Sequence, residues 1–259
     1  EVLRMLNQEA NPKQEHLFII AERDSASRGR YELAYSERAS GGEEVLESSE
    51  LLAIARLTPS RDVAVFLARY VGDGVVYALL DSVSVTGAYS FTLQPGVETA
   101  MDVRSFLFFR KKVEKLGIAP MTSMFFFGEN TNLRPKDIFR PEIHDSDGLM
   151  IHMENGEWLW RPLSNPPAVW VNSFQADNPL GFGLIHRDQN FDHYQDLEAR
   201  YELRPSLWCE RRGNWGKGWV ELVQLHTTDE IHDNIVAYWR PAETPPGEPL
   251  SFAYALSWH

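Results

Sequence analysis

Val75-Val76-Tyr77-Ala78-Leu79-Leu80 marks the point at which the chain changes character. Similar short segments follow it: Ala88-Tyr89-Ser90-Phe91-Thr92-Leu93, Ser105-Phe106-Leu107-Phe108-Phe109 and Trp219-Val220-Glu221-Leu222-Val223-Gln224-Leu225. Each is rich in β-branched or aromatic residues and bounded by Gly, Pro, Asp or Asn, which predicts strands. Pro95-Gly96, Asn155-Gly156, Asn165-Pro166-Pro167 and Pro246-Gly247 supply the turns between such strands. Strands do not alternate with helices, so a doubly wound α/β fold is excluded. Many short strands in a chain of 259 residues predict a mainly β protein built on a large sandwich.

Working back from Val75, residues 1–74 contain no Trp, whereas all eight Trp residues lie between 158 and 258. The run from Glu43 to Leu57 and the run Asp62-Val63-Ala64-Val65-Phe66-Leu67-Ala68-Arg69 space apolar residues by three and four, which suits amphipathic helix. The expected organisation is a divergent N-terminal segment, 1–74, and a β-sandwich core, 75–259. Glu1-Val2-Leu3-Arg4-Met5-Leu6 and Ser257-Trp258-His259 read as the ends of a fragment, so no targeting signal is legible.

The net charge of −12 argues against nucleic acid or an anionic membrane as the main partner, and leaves a neutral ligand such as a sugar open. The single cysteine, Cys209, forbids an intrachain disulfide and reads as structural. No stretch of 18 apolar residues exists to span a bilayer.

Two aromatic clusters stand out. In Gly156-Glu157-Trp158-Leu159-Trp160-Arg161-Pro162, a strand puts Trp158, Trp160 and Pro162 on one face and Glu157, Leu159 and Arg161 on the other. That face is either a core slab or a platform for the apolar side of a pyranose. Gly213-Asn214-Trp215-Gly216-Lys217-Gly218-Trp219 reads as a tight loop, either a plain hairpin or a close approach to a ligand. The connections 128–148 and 186–206 are long and dense in charged residues, which favours functional loops. Glycoside cleavage needs two carboxyl groups across a cleft. Glu129, Asp137, Glu142, Asp145, Asp147, Asp188, Asp192, Asp196, Asp229, Glu230 and Asp233 all qualify by composition. His144-Asp145, His186 to His193 and His226 to Asp233 set imidazoles near carboxylates, but none has a recognised metal-ligand spacing, so neither metal nor cofactor is expected. A serine triad lacks its G-x-S-x-G elbow.

Longer motifs then fall in order: Tyr77-Ala-Leu-Leu-Asp-Ser82, Thr86-Gly-Ala-Tyr89, Leu116-Gly-Ile-Ala-Pro-Met-Thr-Ser-Met-Phe125 and Phe127-Gly-Glu-Asn130. They continue with His144-Asp-Ser-Asp-Gly-Leu149, Asn155-Gly-Glu-Trp-Leu-Trp-Arg-Pro-Leu163 and Asn178-Pro-Leu-Gly-Phe-Gly-Leu184. Arg200-Tyr-Glu-Leu-Arg-Pro-Ser206, Trp215-Gly-Lys-Gly218 and Asp233-Asn-Ile-Val-Ala-Tyr-Trp239 complete the series. Over residues 76–258 the chain resembles the periplasmic glucan biosynthesis proteins of the G and D type.

The resemblance implies a periplasmic protein with a galactose-mutarotase-like β-sandwich. The family's C-terminal immunoglobulin-like domain has no counterpart in this sequence. It implies a β-1,2-glucan partner in osmoregulated glucan synthesis, with a membrane glucan synthase and a homodimer as further candidate partners. The D-type relatives are inverting endo-β-1,2-glucanases. Carried over by motif, Asp233 is the general acid, Asp145 the general base, and Tyr201 a cleft residue serving a water relay. Trp158, Trp160, Arg161, Trp215 and Lys217 are the implied glucan-groove residues. The acid role asks that Asp233 be desolvated or crowded by other carboxylates, and the base role that Asp145 be ionised. Asp147 departs from the Asn of the family pattern and adds a carboxylate two residues from the base. The competing reading is a non-catalytic glucan-binding component; a mutarotase-like epimerase rests on fold analogy alone.

Overall fold

The computed structural model describes residues 75–259, except 132–133, 135 and 245–246, and five strand segments within residues 1–74. The fold is mainly β, with antiparallel sheets forming a β-sandwich. Among the described residues, no helix is long and apolar enough to cross a membrane.

The chain divides into two compact units. The first takes residues 1–93, 103–113 and 245–251. Its strands β1 (His16–Ile20), β2 (Leu33–Glu37) and β3 (Gly42–Val45) form an antiparallel three-stranded sheet. Strands β4 (Ala53–Ile54), β5 (Leu67–Val71), β6 (Val75–Asp81), β7 (Val85–Gln94) and β8 (Thr99–Phe109) are ordered β8-β7-β6-β5-β4.

These strands correct the helical reading of the N-terminal runs. Val45 and Ile54 sit in ladders opposite Ala34 and Leu67, and Leu67-Ala68-Arg69 opens β5. A three- and four-residue apolar spacing is a local signal, and pairing with a neighbouring strand overrides it. The rest of those runs, 46–52 and 55–66, lies outside the described residues. Pairing also runs across residue 75, since β5 and β6 are antiparallel partners with Val71 opposite Val75.

The second unit takes residues 94–102, 114–244 and 252–259. It contains β9 (Ile118–Ser123), β10 (Phe125–Phe127), β11 (Ile143–His144), β12 (Gly148–His152), β13 (Trp158–Pro162), β14 (Trp170–Gln175) and β15 (Gly181–Ile185). After a short helix α1 (Phe191–Tyr194) and a 3-10 turn at Tyr201–Leu203 come β16 (Leu207–Arg212), β17 (Gly218–Gln224), β18 (Ile235–Pro241) and β19 (Leu250–Trp258). One sheet runs β13-β12-β15-β16-β19, the other β14-β17-β18-β9.

Alternation explains how these two sheets meet. Leu149, Ile151, Phe182, Leu184 and Cys209 are buried on one sheet, and Val220, Leu222, Ile235, Ala237 and Trp239 on the other. Trp239 of β18 lies edge-on to Phe252 of β19, with ring centroids 5.9 Å apart, and Trp215 meets Trp239, Phe252 and Tyr254. Burial pushes the Cys209 thiol far up, so it is an inert part of this core.

Candidate active site

A second apolar cluster, Met124, Phe127, Ile143, Tyr194 and Tyr201, is the base on which the polar loops rest. It explains how two segments far apart in sequence meet. Strand β10 pairs with β11, with Phe125 opposite His144. The next residue, Asp145, donates its N–H to Met124 O at 2.8 Å. At the start of β18, Asn234 is buried; its Oδ1 accepts from Phe125 N–H at 2.8 Å, and its Nδ2 donates to Phe125 O and Leu225 O at 3.0 Å each. Asp145 and Asp233 are thereby suspended from the same two residues, Met124 and Phe125.

Their charges interact. Burial raises the Asp145 carboxyl above the ordinary Asp value; the Arg204 guanidinium opposes this, and the Asp233 charge adds to it. Arg204 Nε lies 3.1 Å from Asp145 Oδ1. Asp233 is exposed, so the desolvation expected of a proton donor is not supplied by the protein alone. Asp147 turns away from this pair, its Oδ2 accepting from the N–H of Arg187 at 2.5 Å.

Tyr201 is buried, and its hydroxyl donates to Glu230 Oε2 at 2.5 Å. Burial, then Glu230 and the charge on Asp145, push its pKa far up, so the phenol keeps its proton. A hydroxyl has one proton to give. Here it goes to Glu230, so a relay ending on Asp145 requires the hydroxyl to turn. Glu230 is gripped by Arg140, with Nη2 to Oε1 at 2.6 Å and Nη1 to Oε2 at 2.9 Å, and Arg140 also binds Asp196. That bidentate contact holds Glu230 below the usual carboxylate range. Arg140, Asp196 and Glu230 thus lock three loops around Tyr201. Of these, Asp196 and Glu230 stood among the candidate carboxylates; Arg140 and Arg204 carried no signal of their own beyond the charge density of the loops.

The aromatic candidates separate. Trp160 lies across Gly148, where a Cβ would stand 2.3 Å from the indole, so only glycine seats the ring there. It walls a cavity of about 280 Å³ together with Phe125, His144, Asp147, Arg187 and Asp188, and the Arg187 guanidinium sits 5.3 Å from its ring centroid. Asp145 and Asp233 are not in that lining. Trp158 is 58 % exposed and stacks on His152 at 3.9 Å, with Trp208 at 5.7 Å. Cross-strand pairing puts Trp158, His152, Gly181, Gly183 and Trp208 on one outward sheet face, a flat aromatic surface. Trp215 corrects the expectation of a groove wall. It is 6 % exposed, and its Nε1 donates to Ala253 O at 3.0 Å, because the rings of Trp239, Phe252 and Tyr254 close around it. Lys217 and Arg161 are exposed, Arg161 on the strand face opposite the two tryptophans.

Imidazoles and carboxylates also converge beside the cavity. His144 Nε2 lies 2.8 Å from Glu142 Oε2, and His193 Nδ1 lies 2.5 Å from Asp188 Oδ2. Burial lowers the pKa of His186, with Asp147 opposing, which favours a neutral ring. Of the third sequence group, His226 stays apart from these imidazoles, its Nδ1 pairing with Pro166 O at 2.9 Å.

Comparison with known proteins identifies the family. A family model described as "Periplasmic glucan biosynthesis protein, MdoG" matches residues 69–259. "Glucans biosynthesis protein G" of Pseudomonas paraeruginosa (strain DSM 24068 / PA7) is 56 % identical over 185 residues, covering 71 % of this chain and 35 % of that protein. The protein of the same name from Pseudomonas aeruginosa (strain LESB58) shares the same identity and coverage. The chain therefore spans about a third of the length of the curated relatives it matches. With three quarters of its length inside the matched region and this identity to the relatives, the chain belongs to the periplasmic glucan biosynthesis protein family, MdoG.

Proposed function

We propose that this unit carries the cleavage cleft of an inverting endo-β-1,2-glucanase, in which Asp233 protonates the leaving oxygen and Asp145 takes the proton of the attacking water. The observation that supports it is the electrostatic coupling of Asp145 to Asp233 across the Met124–Phe125 strand. A raised pKa makes Asp145 a stronger base while it remains ionised at working pH. Arg204 opposes its protonation and orients it. A bound glucan covers Asp233, and that desolvation favours the protonated acid the step needs. Tyr201 lies at the junction of these groups; released from Glu230, its hydroxyl passes a proton from water towards Asp145.

Incubating the chain with linear β-1,2-glucan tests the reading. Oligosaccharides with an α reducing end are expected, and Asp233→Asn and Asp145→Asn each lower the rate by at least about 100-fold. Release by Asp233→Asn at the wild-type rate overturns the assignment. The outward face of Trp158, His152 and Trp208 favours a second reading, glucan binding without turnover. Glucan bound by wild type and by Asp145→Asn alike, with no product from either, selects it.

A further inference from the structure

The cleavage reading uses Asp145 but leaves its buried polar neighbours without a task. His144 is 1 % exposed and His186 is 4 % exposed. His144 Nε2 lies 3.9 Å from Asp147 Oδ1, and His186 Nδ1 lies 3.8 Å from Asp147 Oδ2. One donor atom from each of His144, Asp147 and His186 falls within 4.8 Å of the other two. Both ring nitrogens of His186, and Nδ1 of His144, are buried without a hydrogen-bond partner. The Glu202 backbone lies near enough to the His186 ring to favour its protonated form, but outside hydrogen-bond geometry. A buried polar atom left unpaired costs about 1–3 kcal/mol, and of the three it is His186 Nδ1, facing Asp147, that a cation at this point would satisfy.

We propose that His144, Asp147 and His186 form a site for a divalent transition-metal cation. Two imidazoles and carboxylates are the donor set of zinc and its neighbours, whereas calcium and magnesium take oxygen ligands. Zinc–ligand bonds of about 2.0–2.2 Å in a tetrahedron put donors roughly 3.3–3.5 Å apart. The observed 3.8 and 3.9 Å close to that with small side-chain rotations. Glu142 Oε2, 2.8 Å from His144 Nε2, yields that nitrogen to the ion when the site fills. The cavity of about 280 Å³ has His144 and Asp147 in its lining, which gives the ion a path in. Bound there, the cation cross-links the segment that carries Asp145 to the segment that begins at His186. Its role is to position, and it takes no part in bond cleavage.

Titrating the chelator-stripped chain with zinc by calorimetry tests the site, with magnesium as the control ion. One zinc per chain is expected, with a Kd below micromolar and no magnesium binding at that concentration. Asp147→Asn keeps an acceptor for the Arg187 N–H and should weaken zinc at least tenfold, with His186→Gln doing the same. A zinc-dependent rise in Tm should appear in wild type and not in Asp147→Asn. His193→Gln, which removes the exposed imidazole beside Asp188, should bind as wild type. No saturable zinc binding, unchanged affinity in Asp147→Asn, or loss confined to His193→Gln each overturns the proposal. None of these readouts depends on glucan cleavage.

Discussion

Asn234 closes on Phe125 through both halves of its carboxamide, accepting from the N–H at 2.8 Å and donating to the carbonyl at 3.0 Å. In effect the side chain extends the β10 ladder by one rung. The residue before it is Asp233, and the chain antiparallel to Phe125 leads into Asp145. The carboxylate pair therefore depends on a neighbour that does no chemistry.

Asn234→Ala deletes three hydrogen bonds, two of them buried, and strands the Phe125 N–H and carbonyl. A loss of about 2–4 kcal/mol is expected in urea unfolding. Activity on β-1,2-glucan should fall by about 100-fold under conditions where the variant is folded, because Asp233 loses its register. An urea midpoint equal to wild type would show that Asn234 does not tie the segments together.

Asp145 makes a contrary demand on stability. Burial and the Asp233 charge raise its pKa in the folded chain. A carboxylate with a raised folded pKa favours folding below its unfolded pKa of about 3.9, and that contribution is lost as pH rises through the folded value. At pH 7 the ionised group is thus a net burden that Asn lacks. Asp145→Asn should raise Tm at pH 7 while abolishing turnover, and the two Tm curves should converge as pH falls below about 4. Arg204 is half exposed, so losing its partner offsets little of the gain. Equal Tm values across the pH range would remove the burial argument for this residue.

How much of this was legible beforehand depends on the range of each interaction. The β-branched and aromatic content of Trp219–Leu225 is a local signal, and it marked that strand correctly. Within the Glu43–Leu57 run, Glu43–Val45 and Ala53–Ile54 depart from the helical reading because they take their structure from ladder partners, and sequence spacing does not carry those. The same limit applies to the site. The motifs named Asp145, Asp233 and Tyr201, but the spacing gave no hint that Tyr201 spends its proton on Glu230. Trp158 and Trp215 are chemically alike and both sit beside glycines, yet one lies on an outward face and the other is enclosed by three rings. Likewise, His144 and His186 show no ligand spacing because their donors come from separate segments.

Glu230 behaves in the opposite sense to Asp145. Arg140 and the Tyr201 hydroxyl depress its pKa, so its contribution is present above its unfolded pKa of about 4.3 and disappears as pH falls through the folded value. Glu230→Gln should cost about 1–2 kcal/mol at pH 7 and progressively less as pH falls through the folded value. Arg140 then keeps only Asp196 as an ionic partner, and Tyr201 keeps a weaker neutral acceptor. If the relay requires the hydroxyl to leave Glu230, this variant frees it, and kcat on glucan should hold or rise while stability drops. A kcat that falls along with stability would assign Tyr201 to holding the loops rather than to proton transfer.

The two tryptophans provide a paired test of surface against core. Trp158 is more than half exposed and rests on His152, so Trp158→Ala removes a flat face and little packing. Binding of β-1,2-glucan should weaken about tenfold, the value of one stacking contact of roughly 1–1.5 kcal/mol, with Tm nearly unchanged. Trp215→Ala empties a site enclosed by Trp239, Phe252 and Tyr254 and leaves Ala253 O without its donor. A loss of about 3–5 kcal/mol is expected, with glucan affinity per folded molecule retained. Affinity measured by calorimetry beside thermal unfolding separates the two. Glucan binding lost in Trp215→Ala at full stability would return that residue to the groove, since a ring that only fills the core cannot affect a ligand without affecting the fold.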